Sequence, residues 1–155
     1  MSEKKQDNRF MEFRLDDHLY AIPLLSVKEV IQKPEVTSMP NMPAFFEGII
    51  NLRGQILGVF SARKKIGAKL KSDSQSNNEV VVVIERDGVH IGMVVDEVTR
   101  VLHPPPEMIR PAPLKEDHPA RAFITSVIQS GEDLVLTMDV VKLLELEKYI
   151  EKSAA

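Results

Sequence analysis

Shifted by 71 residues, the first half of the sequence falls into step with the second. Asp16 and Asp17 align with Asp87 and Gly88, Tyr20 with Ile91, Leu24 with Val95, Val27 with Val98, and Val30 and Ile31 with Val101 and Leu102. At a shift of 78 the match resumes, with Ile49 and Ile50 on Val127 and Ile128, and Ile56 and Leu57 on Leu134 and Val135. Each copy reads as turn, strand, short break, strand. The strands are short, rich in Val, Ile and Phe, and bounded by turn signals such as Asp87-Gly88 and Ser130-Gly131. Such units point to two small closed barrels, because closure leaves no exposed sheet edge. MEFRL and VVVVIE are the expected opening strands, and the wholly polar stretch DSQSNN separates the copies near residues 71–79.

Helix signals are few. SARKKIG follows the first copy, and DVVKLLELEKYIEKS ends the second with Val140, Leu143, Leu144 and Ile150 near one face. That face should pack back on the body. The expected layout is one mainly β domain over residues 10–150, with a first barrel at about 10–70 that leaves room for strand exchange. The second barrel is expected at about 79–144, and residues 1–9 and 151–155 are expected to be flexible tails.

The residue inventory narrows the chemistry. With no cysteine, disulfides, thiolate zinc sites and cysteine nucleophiles are excluded, and a reducing, cytoplasmic setting is expected. The start MSEKKQDNR has no apolar core behind it, and no run approaches the roughly 20 apolar residues of a membrane span. The chain therefore reads as soluble and unexported, without membrane insertion. A net charge of -3 from 20 basic and 23 acidic residues offers no electrostatic attraction for nucleic acid. His18, His90, His103 and His118 are scattered, without metal-ligand spacing. Acidic pairs such as Asp16-Asp17 and Asp96-Glu97 sit at turns or on alternating strand faces. Gly54 and Gly58 form no phosphate loop, and no serine stands in a nucleophile elbow. The sequence makes no case for catalysis, a metal or a cofactor, which leaves binding surfaces.

One such surface starts from NLRGQILGVF, residues 51–60, where Arg53 interrupts an apolar run. Its charge persists at any biological pH, so burial would demand a partner. The second copy carries Ser130-Gly131-Glu132 at the equivalent place, an ordinary hairpin turn, which puts Arg53 at an exposed turn. Glu29, in SVKEVI, lies in the same copy, and a carboxylate and a guanidinium can brace each other there. A second surface is suggested by TSMPNMPAFFEG, where prolines stiffen a segment bearing Met39, Met42, Phe45 and Phe46. At least one of these phenylalanines is expected to plug a barrel end, while the rest form an apolar docking patch.

FEGIINLRGQI, preceded by YAIPLLSVKEVI and followed by HIGMVVDEVTRVL, EMIRPAP and LVLTMDVVKLL, resembles the signature of the CheW-like chemotaxis coupling proteins from about Phe13 to Leu144. The resemblance implies two five-stranded SH3-like β-barrel subdomains sharing a hydrophobic centre, and an adaptor without enzymatic activity. Its implied partners are the cytoplasmic hairpin tips of chemoreceptors, the regulatory domain of the histidine kinase CheA and, in rings, other CheW-like domains. By matching motif, the receptor-binding positions are Val27, Glu29, Arg53, Gly92, Val98 and Val101. Gly92 is expected to leave room for a receptor helix. Kinase docking is placed on an exposed apolar surface around Val36, Met39, Pro43 and Phe46. The chain departs from the family pattern at Gly58 and at Ser61-Ala62-Arg63, where Pro and then Asp-Leu-Arg are usual, although Asp139 keeps the aspartate in the second copy. Ser61 can cap a helix as aspartate does. A coupling protein of a non-flagellar chemosensory pathway is the alternative. A small-barrel nucleic-acid binder would need basic strands with interleaved aromatics, which this chain lacks.

Overall fold

A computed structural model describes residues 7–66 and 78–148. The connector DSQSNN up to Asn77, Ile150 and the outermost parts of both tails lie outside the described residues. Each half opens with a hairpin, β1 (Phe10–Leu15) and β2 (His18–Pro23) in the first, β6 (Val80–Arg86) and β7 (Val89–Val95) in the second. One strand follows, β3 (Val27–Gln32) or β8 (Glu97–Leu102). After β8 comes the short β9 (Ile109–Pro111). A second hairpin completes each half, β4 (Phe46–Leu52) with β5 (Gln55–Ser61), or β10 (Ile124–Ser130) with β11 (Asp133–Met138). Short helices α1 (Ala62–Ile66) and α2 (Val140–Leu144) end the two series.

The sheets do not follow the halves of the sequence. One has five strands in the order β3-β6-β7-β5-β4, the other six in the order β8-β1-β2-β11-β10-β9. The opening hairpin of each half has therefore crossed into the sheet of the other. Parallel pairs β2 with β11 and β5 with β7 make the two joints. The exchange that the sequence left open is complete, so neither lobe is a contiguous stretch of chain. Without β9 the two strand orders correspond one to one. The five-strand lobe answers β9 only with an isolated bridge from Thr37 to Ile49.

Exchange explains the run of valines in β6, whose alternate side chains enter different cores. Val81 and Val83 fill the interior of the five-strand lobe with Ile50, Leu57, Val59 and Val94. Val82 and Ile84 face the other way, into a centre shared by both sheets. That centre also takes Met11, Phe13, Leu15 and Ile22 from the six-strand lobe, Phe60, Ile91 and Met93 from the five-strand lobe, and Leu143 from α2. The interior of the six-strand lobe is smaller and holds Ala21, Leu102, Ile128 and Val135.

The helices start on side-chain caps. Asp139 accepts the backbone N–H groups of Val141 at 2.9 Å and Lys142 at 3.3 Å, and Ser61 Oγ accepts that of Lys64 at 3.3 Å. Serine thus makes good the missing aspartate at position 61. Val140, Leu143 and Leu144 are buried as their spacing predicts, and α2 gives way to a 3-10 turn over Glu145–Glu147, after which Lys148 is again helical. A further clasp joins the lobes: Arg63, with 13% of its side chain exposed, pairs with Asp16 and stands 3.7 Å from Asp96. Asp96 also accepts the Asp16 backbone N–H at 2.7 Å. It lies between β7 and β8, where the chain passes from one sheet to the other.

Candidate functional site

The candidate site is built on β3 and β8, the first strands in the two sheet orders. Each carries a bulge. Val27 pairs with Ile84 and Glu29 with Val83, which leaves Lys28 extra, while Val98 pairs with Phe13 and Arg100 with Glu12, which leaves Thr99 extra. Alternation would send side chains three apart to opposite faces, and one extra residue returns them to the same face. Val27 and Val30 therefore share a face, as do Val98 and Val101. Val27 and Val98 pack against the shared centre. Val30 and Val101 are 39% and 54% exposed.

Glu29 points the other way, toward the turn between β4 and β5. Arg53 Nη1 and Nη2 each donate to one of its carboxylate oxygens at 2.9 Å. The guanidinium stands outermost, with 73% of its side chain exposed against 19% for Glu29. Neighbouring strands lie about 4.8 Å apart, so a flat five-stranded sheet would hold its edges roughly 19 Å from each other. This bidentate contact therefore requires the sheet to curl until its first strand meets its last hairpin. Arg53 and Gly54 have φ of 52° and 85°, the pair of positive values that tight two-residue hairpins favour, and Asn51 Oδ1 accepts the Gly54 N–H at 2.8 Å.

The six-strand lobe repeats this closure with other residues. Arg100 stands at the place of Glu29, and its Nη2 donates to Ser130 Oγ at 3.3 Å and lies 3.8 Å from Asp133. Ser130 and Asp133 flank the turn between β10 and β11, where Gly131, with φ 62°, takes the place of Arg53. Val30 and Arg100 were not among the residues expected from sequence. The repeat carries the signal for both, since it sets Val30 on Val101 and Glu29 on Arg100.

Two expected site residues are corrected. Gly92 is buried, and a Cβ there would come within 2.9 Å of Val81 Cγ1 and 3.2 Å of Val59 Cγ2. The room it leaves is taken by the chain's own valines, not by an open face. Phe46 is 8% exposed and belongs to the shared centre, so it cannot belong to an exposed docking surface. Of its neighbours in that reading, Val36 is half-buried against the five-strand interior, and Met39 and Pro43 are half-buried. Phe45 and Met42 also pack against the shared centre, and Lys65 Nζ lies 4.1 Å from the Phe45 ring centroid. Burial pushes the Lys65 ammonium below its usual range, and Lys148 adds to the effect.

A cleft of about 920 Å³ opens elsewhere, on the six-strand lobe, walled largely by Met108, Ala112, Leu114, Val127, Leu134 and Leu136. It includes none of the expected site residues. Among the described residues no group of three or more His, Cys, Asp or Glu could hold a metal ion, and no helix is long and apolar enough to cross a membrane.

Residues 9–148 match the family model of the CheW-like domain. The chemotaxis protein CheW of Klebsiella aerogenes is 34% identical over 139 residues, spanning 90% of this chain and 82% of that protein. CheW of Treponema pallidum is 25% identical over 157 residues, with 99% and 91% of the two chains covered. The crystal structure of the scaffolding protein TtCheW from Thermoanaerobacter tengcongensis matches with a TM-score of 0.76 at 27% identity, over 86% of this chain and 89% of that one. Two exchanged lobes around a common centre, the braced Glu29–Arg53 turn and a family match over nearly the whole length lead to one conclusion: this chain belongs to the CheW-like domain family of chemotaxis coupling proteins.

Proposed function

We propose that this chain is an adaptor that joins the cytoplasmic hairpin tips of chemoreceptors to the regulatory domain of the histidine kinase CheA, and that it acts by binding alone. The observation that carries the reading is Arg53, an exposed guanidinium held on Glu29 in a backbone conformation that a side chain disfavours. In this reading a receptor helix lays its apolar stripe along Val27, Val30, Val98 and Val101, and Arg53 fixes its polar edge. Val36, Met39 and Pro43 remain the proposed kinase-docking residues. The protein would work in the cytoplasm, held at receptor arrays through its partners.

The reading is tested by titrating a receptor hairpin-tip fragment into wild type and Arg53→Ala in a calorimeter, with melting curves recorded for both. An equally stable variant that binds at least tenfold more weakly, about 1.4 kcal/mol, supports it. Equal binding would remove Arg53 from the receptor surface, and no binding by the wild type would overturn the receptor assignment.

A further inference from the structure

Glu12 is the only charged residue buried by the fold among the described residues, with 3% of its side chain exposed. It stands on β1 between Ala21 and Arg100, on the face that lines the six-strand interior. At the shift of 71 its place is taken by Val83, which is buried in the five-strand interior. This fold therefore accepts a valine there, and burying a carboxylate in place of a hydrophobic side chain ordinarily weakens a protein.

The hydrogen bonds of the Glu12 carboxylate go to a single strand. Its Oε1 accepts from Thr99 Oγ1 at 2.6 Å and from Arg100 Nε at 3.1 Å, while Oε2 has no hydrogen-bond partner among the described residues. Thr99 is the extra residue of the β8 bulge. The matching bulge in β3 forms opposite Val83, so the carboxylate is not needed to make a bulge. What it adds is a hold on the Nε side of Arg100, whose Nη2 meets Ser130 and Asp133 and whose side chain is 47% exposed. Each lobe thus presents one guanidinium backed by a less exposed glutamate, Arg53 on Glu29 and Arg100 on Glu12.

We propose that Glu12 is a positioning residue, kept to aim Arg100 as a second guanidinium for carboxylate groups on the edge of a bound receptor helix. The proposal deepens the coupling reading and rests on it for the identity of the partner. It predicts a separation of stability from binding: Glu12→Val should melt at or above the wild-type temperature yet bind the receptor hairpin-tip fragment at least fivefold more weakly. Glu12→Gln keeps an oxygen for Thr99 and Arg100 and should bind within twofold of wild type. Arg100→Ala should lose as much as Glu12→Val, and the double variant no more than either, because Glu12 acts through Arg100.

Wild-type binding by Glu12→Val, or losses that multiply in the double variant, would overturn the proposal. If Glu12→Val does not fold, a folded Arg100→Ala that binds fully overturns it equally well. Should the wild type itself not bind the fragment, the coupling reading fails on its own account. The Arg100 Nε–H resonance then decides the positioning claim: slow exchange in wild type and Glu12→Gln, with fast exchange in Arg100 of a folded Glu12→Val, supports it, and unchanged exchange refutes it.

Discussion

At position 53 the backbone is left-handed, with φ 52°, a conformation that costs a residue with a Cβ about 1 kcal/mol or more. The ion pair to Glu29, whose guanidinium side is exposed, returns about 1 kcal/mol. Stability alone therefore gives little reason for arginine over the glycine found at the matching turn. Arg53→Gly should leave unfolding stability within about 1 kcal/mol of wild type in a urea titration while weakening receptor binding. A loss above about 2 kcal/mol would make Arg53 a structural residue. Its exposure was legible in the sequence, because a hairpin turn is a local feature and the repeat marks its place. Phe46 was misread for a non-local reason, since the centre that buries it is gathered from both sheets. Gly92 was misread because Val81 of its own hairpin and Val59, brought beside it by the β5–β7 pairing, occupy the space over it.

Among the elements, the bulges of β3 and β8 matter most. A valine pair three apart in a strand looks like one inward and one outward residue, and only the bulge turns both to one side. No single residue in the sequence announces an extra residue in a ladder, so the shared face of Val98 and Val101 became visible only with the pairing register. The strands themselves were readable from their Val, Ile and Phe content between turn signals, and the helix caps at Asp139 and Ser61 from residue type. In the C-terminal segment a 3-10 turn over Glu145–Glu147 follows α2, and Leu146 meets the core from that turn. The β7 element supplies a stability prediction. Gly92→Ala must displace Val81 or Val59 and should cost about 1–3 kcal/mol by denaturant unfolding. A variant as stable as wild type would show that the two valines can yield.

At the scale of the whole molecule, the strand exchange was foreshadowed by the repeat but not determined by it. Two copies of one unit could close separately, and the choice between closing and exchanging depends on the shared centre. That centre draws on both sheets and on α2, and the Arg63 clasp to Asp16 and Asp96 spans the crossing. A chain cut between residues 66 and 78 should therefore yield halves that show no cooperative melting alone and regain one transition when mixed. Independent folding of either half would contradict the exchanged topology. The same arrangement gives the adaptor its two proposed surfaces, one along β3 and β8, the other around Val36, Met39 and Pro43. The most direct measurement is calorimetric titration of the CheA regulatory domain into this protein, first free and then saturated with the receptor hairpin-tip fragment. The account predicts that both partners are held at once, with the kinase-domain affinity changed less than threefold by saturation. Abolition of kinase-domain binding by the receptor fragment would contradict it, because a protein whose partners exclude each other does not join them.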